Sequence, residues 1–491
     1  MSDTLTAPQQ AIKPKTGMQR IPFPLDTYEH TNAPLISKRL LNYYPEKEPD
    51  DARAAAALIP THGLETYATL GSAPVRAVNG DMPGHLYVVA GDHFYRITYP
   101  PGVPAGIEDL GSVGVAADPF GLVTIAVGML AVVVCVPPNA FTCSHGAGAP
   151  LNQLGGTFPA GGAAAVAHLD GYFAFVDFTD NTKWFISGLL DPTDFDALDF
   201  AYADSAPNVL RTIVGHRGEL WLVGEKAIEV WYDAGNADFP FRRRSAAVIA
   251  VGALTPRSVQ AGAESVWWIG NDNVVYRSNG YVATRVSNHA VEARLAGMFI
   301  GDDALDCLFY KIDGHSFYVF SVAGDLTWAY DAVAGAWHER SSVADGNGRW
   351  RANCATQLGG EPILGDFNTG QLMRLVRASD NDIGVPLMRQ AVLPPLAVSS
   401  VRGARAFCAR LEVEMETGTD ASHQDVTLDW SDDGGHTYVG GRLMGSGPVG
   451  NGRKRVFTTR LGSFRQRTFR ITTRGAATLW AVDADVTPGA H

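Results

Sequence analysis

The chain has 491 residues, 46% of them apolar and 18% charged, with a formal net charge of −12. That length predicts two to four domains, and so low a charged fraction excludes a mainly disordered chain. A net-acidic protein does not neutralise phosphates, so the chain as a whole should repel duplex DNA.

Gly (53) and Pro (28) are abundant enough for many tight turns. Cys135, Cys143, Cys307, Cys354 and Cys408 are odd in number and scattered, with no Cys-x-x-Cys pair. A disulfide framework or zinc knuckle is therefore not expected; free buried thiols in a reducing cytosol are. The first ten residues carry neither a basic nor an apolar block, so no signal peptide is expected.

Residues 1–40 read as an N-terminal arm, the first 20 of them polar and aperiodic. Gln19-Arg-Ile-Pro-Phe-Pro24 is too rich in proline for a helix. Leu40-Leu-Asn-Tyr-Tyr-Pro-Glu46 reads as one strand stopped by Pro, and Ala54–Ile59 as a short helical turn ended by Pro60. Phe120–Val136 is almost wholly apolar but short for a membrane span and interrupted by Gly121 and Gly128. It reads as two buried strands, Leu122–Val127 and Leu130–Val136.

A unit of strand, Gly turn and strand recurs in Leu86–Arg96, Glu219–Trp231 and Val266–Arg277, with Gly91, Gly224 and Gly270 in equivalent places. Gly128, Gly171, Gly314 and Gly360 mark weaker units. The spacings along all seven are 37, 43, 53, 46, 44 and 46 residues. A period near 45 with about four short strands per unit is the signature of a β-propeller blade. One four-stranded sheet cannot bury both faces; stacked radially, each sheet covers the next. The expected fold is all-β: a propeller body of six or seven blade-like units over residues 41–375, a connector over 376–404, and a C-terminal β-sandwich over 405–491. The sandwich follows from longer, alternating strands at Ala409–Glu416, Val426–Trp430, Arg453–Leu461 and Gln466–Thr473.

Motifs that carry chemistry are scarce. There is no Gly-x-Ser-x-Gly elbow, no Walker-type phosphate loop and no His-Glu-x-x-His. No catalytic, metal or cofactor residue is expected. Ser431, Asp433, Gly435, Thr437 and Tyr438 match the Asp-box turn seen on sialidase-type propellers, a structural hairpin rather than a catalytic motif. Asn451–Arg474 holds eight basic residues and no acidic one. Of these, Arg453, Lys454, Arg455, Arg465 and Arg467 are candidate contacts for an acidic partner, against a solvated strand face as the plainer reading. Arg243, inside Arg242-Arg-Arg244, is a candidate for an intersubunit or interblade ion pair.

The wording of several segments goes further. Trp184-Phe-Ile-Ser-Gly-Leu-Leu-Asp-Pro-Thr-Asp-Phe-Asp-Ala-Leu-Asp-Phe200, Glu219–Tyr232, Gly235–Arg242, Trp267–Gly270 and Arg285–Ala290 closely resemble the tail nozzle proteins of short-tailed phages, also called packaged-DNA stabilisation proteins or tail accessory factors. Asn42-Tyr-Tyr-Pro-Glu46, Asp429–Gly435 and Arg460–Arg467 are similar to other parts of that family, whereas residues 100–159 match least. The resemblance implies a non-enzymatic virion protein, made in the host cytoplasm. It implies a homohexameric tube below the portal and its head-to-tail adaptor, associated with tail fibres or spikes and a plug or needle protein. Such a tube retains packaged double-stranded DNA and conducts it without tight binding, and has no membrane span. A propeller-based glycan-binding or glycan-cleaving tail component is the alternative, and a cellular propeller scaffold a third.

Overall fold

The computed structural model describes residues 17–29, 37–47, 56–80, 84–98, 105–114, 122–204, 208–262, 264–297, 305–323, 326–377, 379–396, 405–416, 426–445 and 452–489. The chain divides into two compact units, residues 62–387 and residues 1–61 together with 388–491.

Among the described residues, the first unit is a propeller of seven four-stranded blades. Their first strands are Val75–Asn79, Thr124–Val127, Ala163–Leu169, Leu210–His216, Gln260–Gly262, Leu305–Ile312 and Ala352–Leu358, each followed by antiparallel neighbours. Each first strand also touches the first strand of the next blade, and the seventh touches the first, so these strands form a closed inner ring. The seventh blade borrows its fourth strand from the start of the unit: Gly63–Thr69 pairs antiparallel with Gln371–Val376. One covalent end is thereby sewn to the other.

Burial on both faces explains the apolar runs. In Tyr172–Asp177, Phe173 and Phe175 face the second blade's Val133 and Cys135. Ala174 and Val176 of the same strand face the fourth blade's Ile213 and Leu222. Ala131–Val136 is buried at all six positions for the same reason: Val132, Val134 and Val136 face the first blade and Val133 and Cys135 the third. A strand sandwiched between sheets has no polar side, which is why this stretch imitates a membrane span. The strands expected at Leu122–Val127 and Leu130–Val136 are present as Thr124–Val127 and Ala131–Val136.

The glycine spacing counts the blades correctly, one per blade. Gly91 and Gly270 follow the second strand of their blades, and Gly224 ends it, as expected. Gly128, Gly171, Gly314 and Gly360 instead follow the first strand, so the seven are not all equivalent. This alternation of turn explains the uneven spacings.

The second unit is a two-sheet sandwich. One sheet runs Tyr43–Lys47, Ala56–Pro60, Leu479–Pro488, Ala406–Glu416, Arg453–Phe464, with Gly17–Ile21 also paired to Leu479–Pro488. The other contains Ser37–Leu41, Arg389–Val392, Thr468–Thr473, Val426–Ser431 and Val439–Met444 in that order. Leu411, Val413, Val456 and Val482 from the first sheet meet Leu40, Leu428, Phe469 and Ile471 from the second in one core.

The domain limits therefore differ from those expected. Gly17–Ile21 and Ser37–Leu41 are sandwich strands rather than arm; residues 1–16 lie outside the described residues. Tyr43–Lys47 and Ala56–Pro60 belong to the sandwich, and the propeller unit starts at 62. The connector contains a sandwich strand, Arg389–Val392, and its residues 397–404 lie outside the described residues. Ala56–Pro60 is a strand, not a helical turn: pairing with Tyr43–Lys47 overrides alanine's helix preference. Leu40–Glu46 is not one strand. Asn42 sits at φ +53°, a left-handed conformation that asparagine tolerates better than most residues, and its Nδ2 donates to Met388 O at 2.8 Å. The corner sends Ser37–Leu41 into one sheet and Tyr43–Lys47 into the other.

Candidate functional site

The inner strands are joined from blade to blade by side chains that bond backbone. Asn79 Nδ2 donates to Ile125 O (2.8 Å), Gln260 Nε2 to Cys307 O (3.0 Å) and Asn353 Nδ2 to Val75 O (2.7 Å). Asp306 is held between Arg257 Nη1 at 2.6 Å and Arg349 Nη1 at 3.0 Å. The ring encloses a cavity of about 370 Å³, lined by all seven inner strands and including Arg76, His168, Arg257, Asp306 and Asn353. That volume suits a small molecule. It is no passage for duplex DNA, whose major groove alone is about 12 Å wide.

The two cysteines that line the cavity are not activated. Cys354 is pushed up to about 12 by burial, and burial raises Cys307 further, so both stay as thiols. Among the described residues no group of three or more His, Cys, Asp or Glu is placed to hold a metal ion. Nor is any helix there long and apolar enough to cross a membrane.

The candidate contact residues separate into distinct roles. Arg453 Nε lies 2.7 Å from Glu414, and Arg455 Nε 3.5 Å from Glu412, both arginines well exposed. Arg453–Phe464 pairs with Ala406–Glu416 in a register that sets the arginines against the glutamates of Arg410-Leu-Glu-Val-Glu-Met-Glu416. Lys454 is half-buried, and Arg465 is exposed. Arg467 corrects the expectation of a partner contact. It is 2% exposed, donates to both Asp432 oxygens at 2.7 Å and to Leu461 O at 2.5 Å, and stacks near Trp430 and Phe464. A guanidinium so enclosed cannot reach another molecule; it ties the Asp-box loop to the neighbouring strand. Arg243 pairs within the chain, 2.7 Å from Asp204 on the linker between the third and fourth blades and 3.7 Å from buried Glu229.

The Asp-box turn is fully bonded. Ser431 Oγ accepts from Gly435 N at 2.8 Å and donates to Asp433 Oδ1 at 2.6 Å. Asp433 also accepts from Thr437 N (2.9 Å) and Thr437 Oγ1 (2.5 Å); the Ser431 bond first, with the Thr437 bonds, holds its carboxyl well below the usual carboxylate range. Gly434 and Gly435 take φ +80° and +99°. Tyr438 closes the hairpin, with the Arg470 guanidinium 4.0 Å over its ring.

Sequence reasoning missed the acidic partners. The strict alternation at 410–416 was legible and already placed Glu412 and Glu414 on one face. The register that brings Arg453 and Arg455 opposite them was not. Charge is also unequal between the units. By sequence, residues 62–387 carry 19 Lys and Arg against 34 Asp and Glu, net −15. The other unit carries 20 against 17, net +3.

Two family models match in succession: bacteriophage P22 Gp10, beta-propeller, over residues 19–379, and bacteriophage P22 Gp10, beta-sandwich, over residues 397–487. The chain belongs to the bacteriophage P22 Gp10 family. It is thus a structural protein of a phage tail, in the tail accessory factor or nozzle group. The Gp10 propeller match begins at 19, although residues up to 61 fold with the sandwich. No curated protein sequence matches the chain. Similar solved structures include a streptogramin B lyase (10% identity, TM-score 0.42, covering 64% of this chain and 98% of that one). They also include virginiamycin B lyase from Staphylococcus aureus (9%, 0.42, 64% and 98%) and YCF48 bound to D1 peptide (12%, 0.39, 65% and 97%).

Proposed function

We propose that this chain is the tail nozzle: six copies in a ring below the portal and its adaptor, retaining packaged DNA and conducting it at ejection. The observation that carries the reading is membership of the Gp10 family over both units. The propeller's geometry supports a conduit between copies rather than through one copy. A cavity of about 370 Å³ cannot pass duplex, so the lumen would lie between copies, walled by their surfaces. A ring of identical subunits closes through two different, complementary faces on each copy. An acidic wall lets DNA slide, so retention would come from constriction or from a plug or needle protein rather than from affinity. The role is structural rather than enzymatic. Fibres or spikes would attach outside, and synthesis in the host cytoplasm fits five cysteines that are all free.

A map of the assembled tail tests this reading. Six copies around the tail axis, distal to the adaptor, are expected. A single copy, or a position on a lateral appendage, would overturn it.

A further inference from the structure

Two adjacent blades carry an apolar patch that neither the fold nor the conduit requires. Met129 (62% exposed) and Leu130 (57%) form the turn after the first strand of the second blade. In the third blade, Leu189 (58%) and Leu190 (39%) lie over Gly171, which occupies the corresponding turn. A Cβ on Gly171 would meet Leu189 at 2.9 Å and Leu190 at 3.2 Å; one on Gly128 would meet Phe173, next to that turn, at 2.8 Å. The four side chains therefore share one face of the ring.

The patch is held rigidly. Leu190 takes φ +61°, a region a branched apolar residue rarely enters, fixed by its N–H donating to Gly171 O at 2.8 Å. Asp191 Oδ1 accepts from Thr193 N and Oγ1 at 2.9 and 2.7 Å. Phe195 anchors the loop among Phe158, Phe175 and Phe185. Strain spent on keeping two leucines at the surface signals a contact. Corresponding turns elsewhere are polar: Arg217 pairs with Glu264 in the fourth blade, and Asp313 with His62 in the sixth.

We propose that this patch seats the C-terminal unit of a second copy of the chain, an inference that rests on the ring reading above. Charge selects the occupant. Asp170, Asp191 and Asp194 rim the patch, are exposed, and have no Lys, Arg or His partner among the described residues. The propeller unit is net −15, whereas the C-terminal unit is net +3. That unit exposes Arg442, Arg460, Arg465 and Arg474 without ion-pair partners among the described residues. Beside Arg442 it also exposes Val439 (56%) and Leu443 (66%), an apolar complement on an outer strand of its sheet.

The test places a single cysteine on the patch, Leu189→Cys, in full-length chain assembled into tails, and labels it with a maleimide–diazirine cross-linker. Cys135, Cys143, Cys307 and Cys408 are buried and Cys354 half-buried, so labelling is selective. Leu198→Cys, on a residue 79% exposed in the same blade but outside the patch, is the position control. Expected is a doubled-mass product joining position 189 of one copy to residues 388–491 of another, absent from the control. A link to residues 62–387, a link to a different tail protein, or no link overturns the proposal. The ring reading survives those outcomes if a general amine cross-linker still yields multiples of the chain mass. If no multiples form, both fail.

Discussion

The propeller is closed by one strand, and a single buried carboxylate clasps it. Asp382 is fully buried; its Oδ1 accepts the Leu64 N–H at 2.9 Å and its Oδ2 the Ser342 O–H at 2.5 Å. Ile383 N adds a bond to Leu64 O at 2.9 Å. Asp382→Ala strands a buried amide and a buried hydroxyl, and each lost charge-assisted bond costs about 1.5–3 kcal/mol. We expect about 3–5 kcal/mol less stability for the propeller unit, a large share of a domain's usual margin. Asp382→Asn keeps the Leu64 acceptor and should lose about 1 kcal/mol. The assay is denaturant unfolding followed by tryptophan fluorescence, with hydrogen exchange to localise the effect. The sandwich transition should stay in place, and amides of Gly63–Thr69 should lose protection before those of Ala163–Leu169. A propeller midpoint moved by less than about 1 kcal/mol equivalent, or uniform loss of protection, would refute the clasp.

Three further outcomes follow. Burial lowers His62 to about 4 and His338 to about 3 from an ordinary 6.5, so the unfolded chain takes up protons that the folded chain refuses. Their contribution is fully present above pH 6.5 and falls away as pH drops toward 4; propeller stability should decline by a few kcal/mol between pH 7.5 and 5. The combined variant His62→Asn, His338→Gln should flatten that profile, and a wild-type midpoint constant over this range would contradict it. Arg467→Ala should destabilise the sandwich by about 2–4 kcal/mol, and Arg467→Lys should not restore it, because one ammonium cannot bond both Asp432 oxygens and Leu461 O. Fluorescence anisotropy with duplex DNA should show no binding that strengthens as salt falls; a log–log salt slope of several charges would sink the non-adhesive wall.

The blades were legible because periodicity follows from stacking: stretches such as Leu220–Val223 are buried on both faces and are apolar at every position. The sandwich strands were legible from alternation, as at Arg410–Glu416. What remained hidden is long-range pairing. Nothing local in Gly63–Thr69 says that its partner is Gln371–Val376, about 300 residues away, or that Gly17–Ile21 joins Leu479–Pro488. The helical reading of Ala54–Ile59 failed on the same ground, since a sheet partner outweighs a few tenths of a kcal/mol of intrinsic preference per residue. Arg467 was misjudged because a run of basic residues looks alike whether it is solvated or enclosed. Asp432, its decisive partner, lies 35 residues upstream.

These long pairings also bear on how the ring stays shut. A propeller closed only by its covalent order would open wherever its two ends meet. Here the closing strand is bonded along both edges, antiparallel to Gln371–Val376 and in a parallel bridge from Leu64 to Asp382. Gly63 fits so closely that a Cβ there would stand 2.3 Å from Asn381 O. Opening the ring therefore requires breaking a double-edged strand, a buried carboxylate's bonds and an interblade core together, rather than peeling one free edge. On the proposed nozzle reading, such cooperativity would suit a body that keeps its shape while packaged DNA passes it.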